Sequence, residues 1–312
     1  MKTLQAKIVV LAALILVQGA TVIAAEDWPQ FKFDCRHSGN VPERNVTTPL
    51  GLVGAVSLTD AVFTSPVVAD GRVYVVDGSG VVFCVDASTL DVLWKFDTSQ
   101  KKANCSNISS PAIAGRYLHV GTMAGTYYIL DRATGEVARK IDCGEPIFST
   151  PVVANGRVYF ATLGSRIYAL EPDGKICWTW DFVKEILKFD GDRWSGEEWC
   201  KRNAGRATWR DQFCCSADIA AYGKMLIIPA GGSAVCLEDQ GSRAQHRETP
   251  AIPSYAGSEK PCIFGLSISE DGSAYLQWHR RDNTGRVEII RLGDSGAKTE
   301  YVPGTLTEIN RP

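Results

Sequence analysis

Residues 62–96 read VFTSPVVADGRVYVVDGSGVVFCVDASTLDVLWKF, and this stretch decides the fold because the chain repeats it twice more. Residues 108–140 read ISSPAIAGRYLHVGTMAGTYYILDRATGEVARK, and residues 147–180 read IFSTPVVANGRVYFATLGSRIYALEPDGKICWTW. The prolines Pro66, Pro111 and Pro151 place the copies 45 and then 40 residues apart. A period near 40 residues that carries only strand and turn signals is typical of a β-propeller blade.

Each copy contains four short apolar runs separated by turn residues. In the first copy, residues 67–69 and 73–76 flank the hairpin signal Asp70-Gly71, and residues 81–85 and 92–96 follow. The runs are continuous rather than alternating, which favours strands covered on both faces. The sequence therefore predicts an all-β chain, a β-propeller of about five to seven four-stranded antiparallel blades in a complete or incomplete ring.

The end of each copy resembles a known repeat. Residues 85–94 (VDASTLDVLW), 130–139 (LDRATGEVAR) and 170–178 (LEPDGKICW) are similar to the pyrroloquinoline-quinone (PQQ) repeat, roughly A-x-D-x-x-T-G-x-x-x-W. The resemblance implies that Trp94 and Trp178 dock onto the neighbouring blade, with Arg139 at that position in the second copy.

The start of the chain supports the same resemblance. Asp27-Trp28-Pro29-Gln30-Phe31, continuing to His37-Ser38-Gly39, is similar to the opening of secreted PQQ-like propellers. The chain is thereby identified as a secreted PQQ-like β-propeller of the quinoprotein alcohol dehydrogenase-like superfamily. That superfamily includes dehydrogenases and non-enzymatic binding scaffolds, so the resemblance is specific for architecture and weak for activity.

The repeats divide the chain into segments. Blade-like units are predicted at 62–96, 107–141, 147–180, 213–240 and 262–300, with an insertion at 181–212. Residues 26–61 are expected to form an N-terminal segment in which residues 51–58 pair as an outer strand with the last blade and close the ring.

Residues 1–25 predict a signal peptide. Lys2 and Lys7 precede and flank an apolar run at 8–17, which is too short for a bilayer span, and small residues follow. An uncleaved anchor is the alternative. We expect a secreted or periplasmic protein with no membrane span after cleavage. The formal net charge of −2 and the absence of a basic stripe argue against a nucleic-acid partner.

Ten cysteines suit an oxidising compartment, where several are expected to form disulfides. The sequence leaves their pairing open. No C-x-x-C pair occurs, so zinc-ribbon, thioredoxin-like and c-type haem interpretations have no support.

The insertion differs in composition from the blades. Residues 182–189 have helical spacing, and tryptophans mixed with arginines follow them. Long loops on a rigid β scaffold often carry function. We predict an interaction surface for a protein, peptide or carbohydrate partner, comprising Trp194, Trp199, Arg202 and Arg206. The alternative is a lid whose tryptophans cover a propeller face or seam.

Adjacent cysteines form the sharpest local feature. Aligned on Gly223, the fourth unit places Cys215 where Phe63 and Phe148 stand in the first and third, at the start of an inner strand near the channel. A disulfide between Cys214 and Cys215 would be strained and rare.

PQQ alcohol dehydrogenases carry a vicinal cysteine pair that packs on the quinone, and Cys214-Cys215 resembles it. Under this interpretation the cofactor-binding residues are Cys214, Cys215 and a stacking Trp209, and the cofactor is PQQ with Ca²⁺. The alternative is that the two side chains point to opposite faces and pair with Cys200 and another partner.

Catalytic signatures are missing. No segment matches the Ca²⁺ ligands or base of a quinoprotein dehydrogenase, and the sequence contains no G-x-S-x-G elbow, Walker loop or dinucleotide fingerprint. We predict no catalytic residue, no metal site and no cofactor. The expected function is a secreted, non-catalytic binding scaffold that acts through its loop face. The alternative is a reduced or partial quinoprotein dehydrogenase.

Overall fold

A computed structural model describes residues 27–98, 107–194, 196–202, 212–247, 262–279, 284–293, 296–300 and 305–307. Over these residues the chain forms five antiparallel sheets and two short helices. The prediction of an all-β fold built from four-stranded blades is confirmed.

The first three sheets coincide with the three clear repeats, and each runs in chain order from its inner to its outer strand. The first comprises β1 Val67–Ala69, β2 Arg72–Val76, β3 Val81–Asp86 and β4 Val92–Asp97. The second comprises β5 Ala112–Ala114, β6 Tyr117–Gly121, β7 Thr126–Asp131 and β8 Val137–Asp142. The third comprises β9 Val152–Ala154, β10 Arg157–Ala161, β11 Arg166–Leu170 and β12 Ile176–Asp181.

The last two sheets come from the degenerate units. The fourth comprises β13 Ala220–Tyr222, β14 Met225–Ala230, β15 Ser233–Asp239 and β16 Ala244–Arg247, so it extends beyond the predicted end at residue 240. The fifth comprises β17 Cys262–Ile268, β18 Ser273–His279, β19 Thr284–Gly293 and β20 Gly296–Glu300, with β21 Thr305–Thr307 also paired to β19.

The insertion contains both helices, α1 Phe182–Glu185 and α2 Gly196–Arg202. In the part of the chain that the structure describes, neither these nor any other helix has the length and apolar character needed to cross a membrane.

The sheets stack in sequence order, each on the next. Four apolar clusters fill the seams between the first and second, second and third, third and fourth, and fourth and fifth sheets. The inner strands β1, β5, β9, β13 and β17 are neighbours in that order. This arrangement is a propeller in which each blade buries its faces against the blades beside it.

An N-terminal segment, residues 28–37, crosses the inner strands of all five sheets, and we call it the axial strap. Each inner strand has one edge that no sheet neighbour covers, and the strap supplies a hydrogen-bond partner there. The five contacts join Trp28 to Val68, Pro29 to Ile113, Gln30 to Val153, Cys35 to Ala221 and Arg36 to Ile268, at 2.7–3.2 Å.

The strand predicted at 51–58 is not formed. Instead Val56 and Leu58 pack on the outer face of the first sheet, against Val75 and Phe83. The carboxylate of Asp77 fixes the following residues, because its Oδ2 accepts the main-chain N–H groups of residues 59 and 60, both at 3.1 Å. The segment therefore lies over the first blade by side-chain packing rather than by strand pairing.

The structure describes seven of the ten cysteines, and no disulfide joins any two of these seven. Expected pairings that involve Cys105, Cys200 or Cys262 lie outside the described side chains.

Candidate functional site

The insertion lies at one end of the blades. In an antiparallel four-stranded sheet, the hairpin between the second and third strands and the exit from the fourth strand share one end, which we call the loop face. The insertion leaves β12 on this face and meets the hairpin at residues 162–165, where the Ser165 hydroxyl donates to the main-chain oxygen of Phe213.

Asp181 organises the start of the insertion. It ends β12 and caps α1, because its Oδ1 accepts the main-chain N–H groups of Val183 at 3.0 Å and Lys184 at 3.2 Å. Its other oxygen, Oδ2, accepts a charge-assisted hydrogen bond from Nη2 of Arg193 and lies 3.5 Å from Nε of Arg166. One carboxylate thus fixes both the helix and the loop that follows it.

Arg193 is the centre of this arrangement. Its side chain is only 10% exposed. Its Nη1 donates to the main-chain oxygen of Gly164 at 2.6 Å, and its Nε lies 3.8 Å from Oε1 of Glu145. A buried guanidinium that is shared between two carboxylates and a carbonyl clamps the insertion onto the third blade.

Glu145 supplies the second carboxylate from the connection between the second and third blades. It is 7% exposed, and its Oε2 accepts from the Thr162 hydroxyl at 2.6 Å. Its Oε1 accepts from the indole Nε1 of Trp194 at 3.2 Å. A Cβ at Gly164 would lie within 3 Å of this carboxylate, so the close approach requires glycine there.

Trp199 was predicted to lie on the interaction surface, and that prediction is wrong. The side chain is 1% exposed and packs edge to face against Phe213 and Phe189, at ring-centroid distances of 5.1 Å each. Its place on α2 turns it toward the core cluster between the third and fourth blades. For this tryptophan the lid interpretation holds.

Trp194 lies at the boundary between this core and solvent. It is half-buried, packs edge to face on Phe213 at 5.4 Å, and lines a pocket of about 350 Å³. The pocket is formed by Glu145, Arg166, Asp181, Lys184, Phe189, Asp190, Gly191, Asp192, Arg193 and Trp194. It combines fixed charges of both signs with aromatic rings, which suits a polar ligand that carries several hydrogen-bonding groups.

The other predicted surface residues cannot be placed in this pocket. Arg202 ends α2, but its side chain lies outside the described residues, as do Arg206 and Trp209 entirely. The prediction missed Glu145 and Asp181, the two carboxylates of the clamp. Only Asp181 left a signal in the sequence, an aspartate directly before a segment with helical spacing.

The register of the fourth sheet differs from the prediction by one residue. Gly223 is the first residue of the two-residue turn in the fourth sheet, the position that Asp70 holds in the first sheet. The prediction had aligned Gly223 with the second turn residue, Gly71. Cys215 therefore lies at the level of Ile147 rather than Phe148, and both Cys215 and Ile147 are fully buried. The side chain enters the core between the third and fourth blades instead of facing the channel.

The adjacent cysteines do not fit the quinone platform that the resemblance implies. They are not bonded to each other. The main-chain N–H of Cys215 donates to Leu163 at 3.0 Å, and the main-chain oxygen of Cys214 accepts from Gly231 at 2.9 Å. Burial raises the pKa of the Cys215 thiol far above its usual range, so it stays neutral in the core. No step through a quinone follows from these residues.

Metal ligation has no support in the described part of the chain, where no three His, Cys, Asp or Glu side chains are grouped to hold an ion.

The residues at the Trp position of the repeat each reach the next blade. Trp94 donates from Nε1 to the main-chain oxygen of Arg132 at 3.2 Å, and Trp178 donates to Oδ1 of Asp239 at 3.0 Å. Arg139 makes the same type of contact, from Nε to the main-chain oxygen of Asp173 at 3.1 Å.

Comparisons with known proteins agree with this architecture. A family model described as outer membrane protein assembly factor BamB matches residues 55–138 and 109–195. The chain is 31% identical over 127 residues to BamB of Yersinia pestis, covering 38% of this chain and 32% of that protein. It is 25% identical over 242 residues to quinohemoprotein alcohol dehydrogenase ADH-IIG of Pseudomonas putida, covering 65% and 33% respectively. The chain thus spans about a third of these relatives' length.

Two solved structures share the fold. Quinohemoprotein alcohol dehydrogenase from Comamonas testosteroni aligns with a TM-score of 0.56 and 18% identity, over 91% of this chain and 50% of that one. BamB from Moraxella catarrhalis aligns with a TM-score of 0.52 and 12% identity, over 81% and 67%. At these identities the likeness is one of fold alone.

Proposed function

Because this chain is a PQQ-like β-propeller of the quinoprotein superfamily, a fold that hosts both enzymes and scaffolds, we propose that it is a non-catalytic binding scaffold. The partner, a protein, peptide or carbohydrate, docks on the loop face at the pocket beside Trp194. The scaffold works in the periplasm or outside the cell, as the signal-like residues 1–25 suggest, without a membrane span or a nucleic-acid partner.

The clamp around Arg193 carries this proposal. A loop with a purely structural role does not need a buried guanidinium shared between Glu145 and Asp181. Apolar residues of similar volume would stabilise such a loop as well, because they avoid the cost of burying charges. Here the clamp holds the Trp194 ring and the charged pocket wall in fixed positions. Groups fixed in advance lose little entropy on binding, which is the property a recognition site requires.

The partner's chemistry follows from the pocket. Its exposed groups are an indole, carboxylates and basic side chains, which suit sugar hydroxyls or the amides and charges of a peptide. Similarity to BamB, named as an outer membrane protein assembly factor, favours a protein or peptide over a carbohydrate.

A quinoprotein dehydrogenase is the second candidate, supported by similarity to ADH-IIG. It rests on Cys214-Cys215, whose packing in the core argues against it.

Peptide and glycan arrays, probed with the chain lacking its signal peptide, test the scaffold. Affinities of the best ligands are then measured for two variants. Trp194→Ala removes the pocket's aromatic wall, and we expect binding to weaken about tenfold or more, the loss typical of a contact that anchors a ligand. Lys201→Ala, on the exposed side of α2, is the matched control and should leave affinity unchanged.

A second arm addresses the enzyme directly. The protein is titrated with PQQ and Ca²⁺ while tryptophan fluorescence and alcohol oxidation are followed. Saturable, Ca²⁺-dependent quenching together with turnover, both lost in Cys214→Ser, would overturn the scaffold in favour of the dehydrogenase. Array ligands that bind Trp194→Ala as well as the parent would remove the pocket from the proposal.

A further inference from the structure

The seam between the third and fourth blades contains a carboxylate with a full set of donors. Asp239 accepts two hydrogen bonds from Nη1 of Arg157, at 2.8 and 2.7 Å, one from the Tyr159 hydroxyl at 2.6 Å and one from Trp178 at 3.0 Å. Burial raises the pKa of Asp239, but these hydrogen bonds outweigh it, so the pKa lies below the usual value. The site is a complete receptor for one carboxylate.

The seam between the first and second blades repeats these donors without the acid. By strand register Arg72 stands at the position of Arg157, Tyr74 at that of Tyr159 and Trp94 at that of Trp178. In the fourth blade Glu238 pairs with Met225, and in the second blade Asp131 pairs with Tyr117 at the same register. Asp239 directly follows Glu238, so its counterpart in the second blade is the residue that follows Asp131, Arg132. A guanidinium thus stands where the other seam has a carboxylate, while the residue types that bind that carboxylate are the same in both seams.

In the absence of a carboxylate, the donors of the first seam bind main-chain oxygens of the second blade instead. The Tyr74 hydroxyl and the Trp94 indole both donate to the main-chain oxygen of Arg132, at 3.2 Å each. Arg72 donates from Nη1 to the main-chain oxygen of Ala133 at 3.3 Å, and within the described residues it pairs with no carboxylate. Among the described residues, no carboxylate therefore neutralises its positive charge.

An open pocket of about 520 Å³ lies over these groups. Its charged lining consists of Arg72, Arg116, Arg132, Asp70 and Asp131. Arg116 pairs with Asp131 and Arg132 pairs with Asp70, which leaves one positive charge in excess, that of Arg72. The pocket opens at the hairpin Asp70-Gly71, the end of the blades opposite the loop face.

We propose that this pocket binds a carboxylate group of a ligand. Arg72 would hold this carboxylate as Arg157 holds the carboxylate of Asp239 between the third and fourth blades. A carboxylate matches both the single uncompensated charge and the forked N–H geometry of a guanidinium. The group comes from an acidic side chain or from the carboxyl terminus of a peptide. This site is independent of the pocket beside Trp194.

Binding is tested with three small molecules that differ in whether they carry a carboxylate and in where that carboxylate is placed. N-acetylglutamate amide carries a side-chain carboxylate, N-acetylglycine carries a terminal one, and N-acetylglutamine amide is the neutral match. Binding is followed in proton–nitrogen spectra by the Arg72 Nε–H and Trp94 Nε1–H resonances. We expect saturable shifts with the carboxylates only, and the stronger of the two identifies the source of the group.

Three variants of the whole chain complete the test. Arg72→Gln should weaken carboxylate binding about tenfold or more, as expected for loss of a charge-assisted pair. Arg132→Asp, which introduces an internal carboxylate, should abolish it. Lys95→Gln removes an exposed charge from the same blade and should leave binding unchanged. Equal shifts with the glutamine probe, undiminished binding in Arg72→Gln, or no saturable shift with either carboxylate would each overturn the proposal.

Discussion

At the scale of single residues, the seams show how one position is used differently around the propeller. His119 lies in the second seam where Tyr74 and Tyr159 lie in the first and third. Like Tyr74, it reaches a main-chain oxygen of the next blade, because its Nε2 lies 3.0 Å from the oxygen of Pro172. A carbonyl can only accept, so Nε2 carries the proton and donates. The ring is fully buried.

His119 predicts an acid-sensitive fold. Burial lowers the pKa of His119 to about 4 from an ordinary value of 6.5. A lowered folded pKa means that folding favours the neutral ring, so stability is complete above pH 6.5 and is lost as the pH falls toward 4. The loss of unfolding free energy over this window is up to roughly 3 kcal/mol.

Denaturant titrations at several pH values test this. His119→Tyr restores the residue of the other two seams and should remove most of the pH dependence while keeping a donor to Pro172. His37, whose pKa is also lowered by burial, provides a remaining slope in the same direction. An unchanged slope in His119→Tyr would contradict the assignment.

Substitution of the two docking tryptophans, Trp94 and Trp178, is expected to lower the free energy of unfolding by unequal amounts. Trp178→Phe leaves the buried Asp239 without one donor, and we expect a loss of about 1.5–3 kcal/mol of unfolding free energy, as for hydrogen bonds to charged groups. Trp94→Phe removes a donor to a main-chain oxygen and should cost about 0.5–1.5 kcal/mol. Both changes keep an aromatic ring, so each variant is the other's control. Equal losses would show that ring packing, not the acceptor, decides the cost.

At the scale of elements, prediction from sequence succeeded where local signals repeat. The hairpins of the first three blades follow from apolar runs around short turns, and they fold as predicted because turns of two, four and five residues join the successive strands. The helical spacing at 182–189 corresponds to a shorter helix that ends at Glu185, and the left-handed backbone of Lys188, at φ 52°, is incompatible with a helix that continues to residue 189.

The candidate site was harder to predict for a physical reason. Glu145 and Arg193 come from different connections and meet only after the second and third blades stack. No periodicity links them, and composition alone drew attention to the tryptophans of the insertion. Hence the sequence points to Trp194 and Trp199, of which Trp194 lines the pocket and Trp199 is buried, and it does not point to the two carboxylates.

The clamp predicts cooperative anchoring of the insertion. Arg193→Gln leaves Glu145 and Asp181 without their shared cation, and we expect a loss of about 3 kcal/mol, as for breaking a buried ion pair. Lys201→Gln breaks the exposed pair with Glu197 and should cost about 0.3–0.5 kcal/mol. Amide hydrogen exchange provides the readout, with faster exchange in α1 expected only for Arg193→Gln.

At the scale of the whole molecule, the axial strap links blades that are not neighbours in the stack, because it bonds to the inner strands of all five. It could not be predicted from sequence, because one or two hydrogen bonds per blade leave no periodic pattern in residues 28–37. Gln30 illustrates the design, since its amide both donates to and accepts from Val153, at 3.2 and 2.9 Å.

Gln30→Leu should therefore weaken the entire fold rather than one loop. The change leaves the main-chain N–H and carbonyl of the half-buried Val153 on β9 without their side-chain partners, which costs up to about 1 kcal/mol for each group, at the low end of the range for unsatisfied groups. The expected result is a lower thermal midpoint together with faster hydrogen exchange at Val153. As a control, Asn40→Ala changes an exposed residue just beyond the strap and should leave both values unchanged. A normal midpoint in Gln30→Leu would show that the strap is dispensable.

The strap also bears on how the chain emerges from the ribosome. Arg36 is synthesised early, yet its partner Ile268 follows only after four blades have been made. Contacts between residues so distant in sequence form slowly. Until then the inner strand edges stay open, and an open edge can pair with another chain. The interval between synthesis of the first strap residue and of the fifth inner strand is thus the period in which a nascent molecule is most exposed to aggregation.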